Sequence, residues 1–162
     1  MAVDNTYTAI ATQTLGSAVS SVTFSSIPST YTDLVIIDNS KTTSGDTELR
    51  LRFNGDTAGN YSGIWLYGDG SLDYRGAGNN LTSAYISRSA TGFGQGVTNV
   101  QNYSNTTTYK TVLSRGSSNN YVFAWVDVWR NTAAISSLTI STDGSSNFTA
   151  GSTFSLYGIK AA

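Results

Sequence analysis

Roughly every ten to fifteen residues, a short run of Val, Ile, Thr and aromatic residues gives way to a cluster of Gly, Asn, Ser or Asp. A chain punctuated this often has no room for helices, and no stretch repeats its apolar residues at the helical period of 3.6. The rhythm predicts strands near Tyr7–Leu15, Val19–Ser25, Asp33–Asn39, Glu48–Asn54, Ser62–Tyr67, Ser83–Arg88, Val97–Asn102, Lys110–Arg115, Tyr121–Arg130, Ser136–Ser141 and Thr153–Lys160. About ten strands joined by short turns describe an all-β protein, a β-sandwich of jelly-roll-like form. The lone proline, Pro28, falls between two of these runs, where it removes no ladder hydrogen bond. Residues 1–6 read as a flexible N-terminal arm and residues 7–162 as one sandwich domain.

Alternation within the runs says which faces are buried. In the stretch from Glu48 to Phe53, Leu49, Leu51 and Phe53 point one way, and Glu48, Arg50 and Arg52 the other. Phe154 and Leu156 alternate with Ser155 and Tyr157 in the same manner. The run YVFAWVDVWR breaks the pattern. Val122, Ala124, Val126 and Val128 make one apolar face, while Tyr121, Phe123, Trp125 and Trp129 make another with Asp127 among them. A strand apolar on both sides is expected to be covered on both sides. One cover is the core; the other is a long loop or a neighbouring subunit. Aromatic stripes are common at subunit interfaces, so Tyr121, Phe123, Trp125 and Trp129 are the expected subunit contact.

Composition removes several classes of function. The chain of 162 residues contains no Cys and no His. Disulfides, thiol nucleophiles, thiolate or imidazole metal sites and a Ser-His-Asp triad are therefore excluded. Net charge is −1, with nine basic and ten acidic residues scattered singly, so the basic stripe of a nucleic-acid binder is absent. Charged residues are only 12% of the chain, and hydroxyls and amides supply the polarity instead. Such a surface keeps crowded monomers apart poorly and suits a protein held in an assembly. No segment has the length and apolarity of a signal peptide or a membrane span, so the expectation is synthesis in a cytoplasm without membrane contact.

Three candidate sites compete with plainer readings. Asn54, Asp56 and Asn60 in the loop NGDTAGN offer oxygens to a cation, but the spacing lacks the alternating ligands and closing Glu of a calcium loop. Asn-Gly is equally a preferred turn dipeptide, and the loop is read as a corner. A glycosidase needs two carboxylates flanking a sugar. The one Glu, Glu48, sits on an outer face, and Asp127 has no evident partner carboxylate, so no enzyme and no cofactor are expected. Asp127 is read as a hydrogen-bond acceptor or as the partner of an Arg such as Arg130. Trp65, Tyr67, Tyr85, Trp125 and Trp129 could stack on pyranose rings, which keeps a carbohydrate-binding module open as a rival.

The stretches TLGSAVSSVTFSSIPSTYTDLVII, ELRLRFNGDTAGNYS, LYGDG, NYSNTTTYKTVLSRG, WRNTAAISSLTI and FTAGSTFSLYGIK occur in this order along the chain. In that ordered set, from about Tyr7 to Lys160, the chain resembles small virion structural proteins of tailed bacteriophages that infect aquatic bacteria. The resemblance implies a place, the virion, rather than a reaction. It implies a capsid decoration (cement) protein, a homotrimer bound to the major capsid protein over capsomer junctions. The alternative it leaves is a tail-fibre or receptor-binding module that meets a host surface glycan. The compact length and initial Met favour a complete decoration protein without a fibre shaft. On that reading the arm Ala2, Val3, Asp4, Asn5 and Thr6 is the expected contact with the shell.

Overall fold

The structure, a computed structural model, describes residues 6–144 and 146–160. Among them are twelve strands and no helix: β1 (Tyr7–Thr14), β2 (Ser21–Phe24), β3 (Asp33–Ser40), β4 (Thr47–Phe53), β5 (Tyr61–Gly68), β6 (Asp73–Leu81), β7 (Ala84–Ser89), β8 (Gly94–Val100), β9 (Lys110–Ser118), β10 (Tyr121–Trp129), β11 (Leu138–Ser141) and β12 (Thr153–Ile159). Every run expected from the sequence is a strand; β6 is the addition. All pairings are antiparallel.

The strands form an eight-stranded sheet in the order β1-β12-β3-β8-β9-β10-β5-β6 and a four-stranded sheet in the order β2-β11-β4-β7. Taken alone, β1-β12-β3-β8 facing β2-β11-β4-β7 has the strand order of a jelly roll, two Greek keys wound together. The remaining strands are two hairpins inserted into that pattern. β5-β6 lies between β4 and β7 in sequence, and β9-β10 between β8 and β11. Both hairpins add to the same edge, beyond β8, so the long sheet overhangs the short one.

The core fills the space between the two jelly-roll sheets. Leu49, Leu51 and Phe53 of β4 are fully buried, as their alternation requires, against Leu34 and Ile36 of β3 and Phe154 and Leu156 of β12. Phe148 closes the core from a loop, edge-on to Phe154 with ring centroids 4.9 Å apart. At the overhang the core continues as an aromatic wall. Trp129 lies 5.3 Å from Phe53 and stacks on Tyr61 at 6.3 Å. Edge strand β7 runs beside β9 and β10 of the opposite sheet and covers part of the overhang. β5 and β6 extend past it.

Candidate functional site

Strand β10 is the axis of the candidate site, and the structure reverses the expected roles of its two faces. Phe123, Trp125 and Trp129 are buried within the chain, at 5%, 2% and 1% exposure, and Tyr121 is half-buried. The aromatic face is therefore the inner one, and the expected subunit contact through Phe123, Trp125 and Trp129 is corrected. The reason is β7: Tyr85 meets Trp125 edge-on at 6.0 Å, and Phe123 stacks on Trp125 at 4.9 Å. An edge strand of the short sheet supplies the cover that a second subunit was expected to give.

The aliphatic face of β10 is the open one. Val122 is 64% exposed and Val126 40%, and register extends the patch sideways. Val126 pairs with Ile64 of β5 and Leu113 of β9, and Ala124 pairs with Leu66 of β5. Ile64 and Leu66 are more than half exposed. Ile64, Leu66, Ala77, Ala124 and Val126 line a shallow depression of about 690 Å³ together with Arg75. Arg75 of β6 and Arg115 of β9 stand at opposite ends of the Leu66–Ala124 row, and the centre carries no charge. The signal for this patch was present in GIWLYG, where Ile64 and Leu66 alternate with Trp65 and Tyr67, so β5 is apolar on both faces as β10 is.

The loop after β4 is occupied by its own contacts. Asp56 Oδ2 accepts hydrogen bonds from Asn60 Nδ2 at 2.9 Å and from the Trp129 indole at 2.7 Å, and Oδ1 accepts from the Ala58 amide. Asn54 Oδ1 accepts from the amides of Ser136 and Ser137, and its Nδ2 donates to Ala134 O. Burial would raise the Asp56 pKa, but the bonds from Asn60, Trp129 and Ala58 outweigh it and hold the carboxyl below its ordinary value. Asn54 and Gly55 turn the chain at φ 52° and 70°. The loop is a corner that ties β4 to the segment after β10. Among the described residues no group of three or more acidic side chains is placed to hold a metal ion.

Two aspartates lie buried where the sheets meet. Asp38 of β3 accepts a hydrogen bond from Ser87 Oγ of β7 at 3.0 Å, and burial pushes its pKa up to about 7 against the pull of Ser87 and Ser40. Asp127 is 2% exposed, and burial raises it to about 7 against a smaller pull from the Tyr85 backbone. Each faces a glycine as its direct cross-strand partner, Gly96 for Asp38 and Gly63 for Asp127, where a side chain would collide with the carboxylate. Of the two roles expected for Asp127, pairing with an Arg such as Arg130 is not made, and the carboxylate accepts from the Tyr85 backbone. Arg130 instead binds Asn79 and Asn80 of β6 and the Gly59 carbonyl.

No family model matches the chain, and no curated protein matches it.

Of the aromatics weighed as sugar platforms, Trp125 and Trp129 are buried, while Trp65, Tyr67 and Tyr85 are half-exposed along the step from β7 down to the overhang. Arg88 of β7, which the sequence did not single out, reaches across that step with its guanidinium 4.9 Å from the rings of both Tyr67 and Tyr121. In the expected shell contact, Ala2, Val3, Asp4 and Asn5 lie outside the described residues, and Thr6 is exposed just ahead of β1.

Proposed function

We propose that the chain is a structural subunit of a bacteriophage virion, a capsid decoration protein that binds the outer shell as a homotrimer and strengthens capsomer junctions without catalysis. The observation that carries this reading is the uncharged aliphatic face of the overhang, centred on Ile64, Leu66, Val122 and Val126. Fully burying one such side chain contributes roughly 1.5–3 kcal/mol, and here several stand in register on one sheet. The occupant is a second copy of the chain. Three copies presenting this face around a common axis bury it in one shared core, and the flanking Arg75, Arg115 and Asp73 fall at its polar rim. The ordered resemblance from Tyr7 to Lys160 supports the virion as the place, and cementing a shell requires only binding at many equivalent sites. The arm Ala2–Thr6 is the segment this reading assigns to the shell.

Light scattering tests the reading. The purified protein is expected at three times the 17.1 kDa of one chain and to bind empty shells lacking it at a fixed ratio. Leu66→Asp with Val126→Asp is expected to return the mass to that of one chain and to lower the midpoint of thermal unfolding, while unfolding of the single chain stays cooperative because both side chains are exposed within it. A wild-type monomer that ignores shells would overturn the proposal.

A further inference from the structure

The step between the two sheets is a second exposed surface, chemically unlike the aliphatic face. Trp65 lies across its cross-strand partner Gly76, which has no side chain to hold the indole off the strand. Next to it, Tyr67 and Tyr74 stack with centroids 4.9 Å apart and planes 15° from parallel, and Tyr121 meets Tyr67 edge-on. Tyr85 forms the wall at 5.5 Å from Trp65. These rings are half-buried or, at Tyr74, 37% exposed, whereas the aromatics further in are sealed by β7. The result is a row of partly exposed rings fixed by their neighbours.

Arg88 stands among them. Tyr67 and Tyr121 hold its guanidinium by cation–π contact, yet among the described residues that guanidinium makes no hydrogen bond and no ion pair. The contrast with two other arginines is informative. Arg50 pairs with Glu48 at 3.3 Å, and Arg130 is satisfied by three oxygens. A guanidinium carries N–H donors in a fixed fork suited to a carboxylate; in this one Nε is buried and the two terminal nitrogens are uncommitted.

We infer that the step between the sheets binds an acidic glycan, a chain of pyranose rings bearing carboxylates. The C–H faces of the sugars lie on Trp65 and the Tyr67–Tyr74 pair, where the ring quadrupoles attract them, and a carboxylate meets Arg88. Trp65 and Tyr67 are two positions apart on one face of β5, about 7 Å along the strand, so adjacent rings can engage adjacent sugars. Nucleic acid fits poorly, because among the described residues the step offers one unpaired guanidinium where a phosphate backbone rewards many cations. This inference stands on the step alone and does not depend on the virion reading.

The test is binding of the full chain to an array of uronate- and sialate-bearing oligosaccharides beside their neutral counterparts, with poly-glutamate as a competitor. Retention of carboxylate-bearing glycans alone is expected, with a change in tryptophan fluorescence that Trp65→Phe diminishes. Arg88→Gln is expected to weaken binding by about tenfold or more, the loss of one charge-assisted contact. Arg88→Lys retains the charge without the fork and is expected to fall between wild type and Arg88→Gln. It also serves as the readout if Arg88→Gln does not fold. Equal binding of neutral glycans, no retained glycan, equal competition by poly-glutamate, or unweakened binding by folded Arg88 variants would each overturn the inference.

Discussion

At the scale of single residues, the buried aspartates show how much this sandwich depends on what is missing opposite them. Asp127 is accommodated only because its cross-strand partner is Gly63. A Cβ there would run into Asp127 Oδ1 and approach the Val126 carbonyl oxygen at 3.0 Å. The carboxylate is buried and lies against the Tyr85 backbone of β7, which leaves it little room to swing aside. Gly63→Ala is therefore expected to destabilise the protein by about 1–3 kcal/mol, the usual cost of overpacking. Gly16→Ala, at a glycine with open space around it, is expected to stay within about 0.5 kcal/mol of wild type. Urea unfolding of the two variants side by side checks both. Equal midpoints would mean that the Asp127 site yields freely. Nothing in the sequence announces this pairing, because Gly63 and Asp127 meet only through the register of β5 with β10.

Among the elements, what could be read from the sequence divides by what encodes it. Strands such as β4 and β12 are written in their own alternation, since one buried face and one wet face leave a period-two pattern. β6 leaves none. Its sequence, DYRGAGNNL, is poor in β-branched residues and rich in Gly and Asn, and it is a strand because β5 offers it an unpaired edge. The inverted faces of β10 have a similar cause. Apolarity on both sides was legible, but which side is inner depends on where β7 ends, a fact of tertiary layout. The β-sandwich class followed from strand count and turn spacing, whereas the strand order, the overhang and with it both candidate surfaces come from long-range pairing and from hairpins that add to one edge. Gly76→Val tests the role of β6. The new side chain would displace the Trp65 indole, so a red-shifted tryptophan emission and faster amide exchange in β6 are expected, with exchange in β3 and β12 unchanged. Unaltered emission would show that Trp65 does not rest on that strand.

For the whole molecule, the consequence of two unequal sheets is a seam along β7 that is held from the long sheet by Asp38 and Asp127. Asp38 bonds Ser87, and Asp127 lies against the backbone of Tyr85, so both carboxyls bear on one edge strand. Arg50 and Glu48 also act on Tyr85, on the side exposed to water. In the unfolded chain both aspartates titrate near the ordinary 3.8, while in the fold each is raised to about 7. Across that interval the folded protein keeps protons that the unfolded chain has released, so stability falls as pH rises from about 4 to about 7 and levels off above. Below about 4 the trend reverses, since Asp56 and Asp69 are held below their ordinary value and their contribution is lost as they protonate. Urea midpoints should therefore be higher at pH 5 than at pH 7.5, the reverse of a protein whose carboxylates are salt-bridged. Asp38→Asn with Asp127→Asn should flatten that difference, because an amide keeps the shape and the acceptor oxygen but cannot ionise. A midpoint that rises from pH 5 to pH 7.5 in wild type would mean that both carboxyls are ionised in the fold and that the seam along β7 admits water.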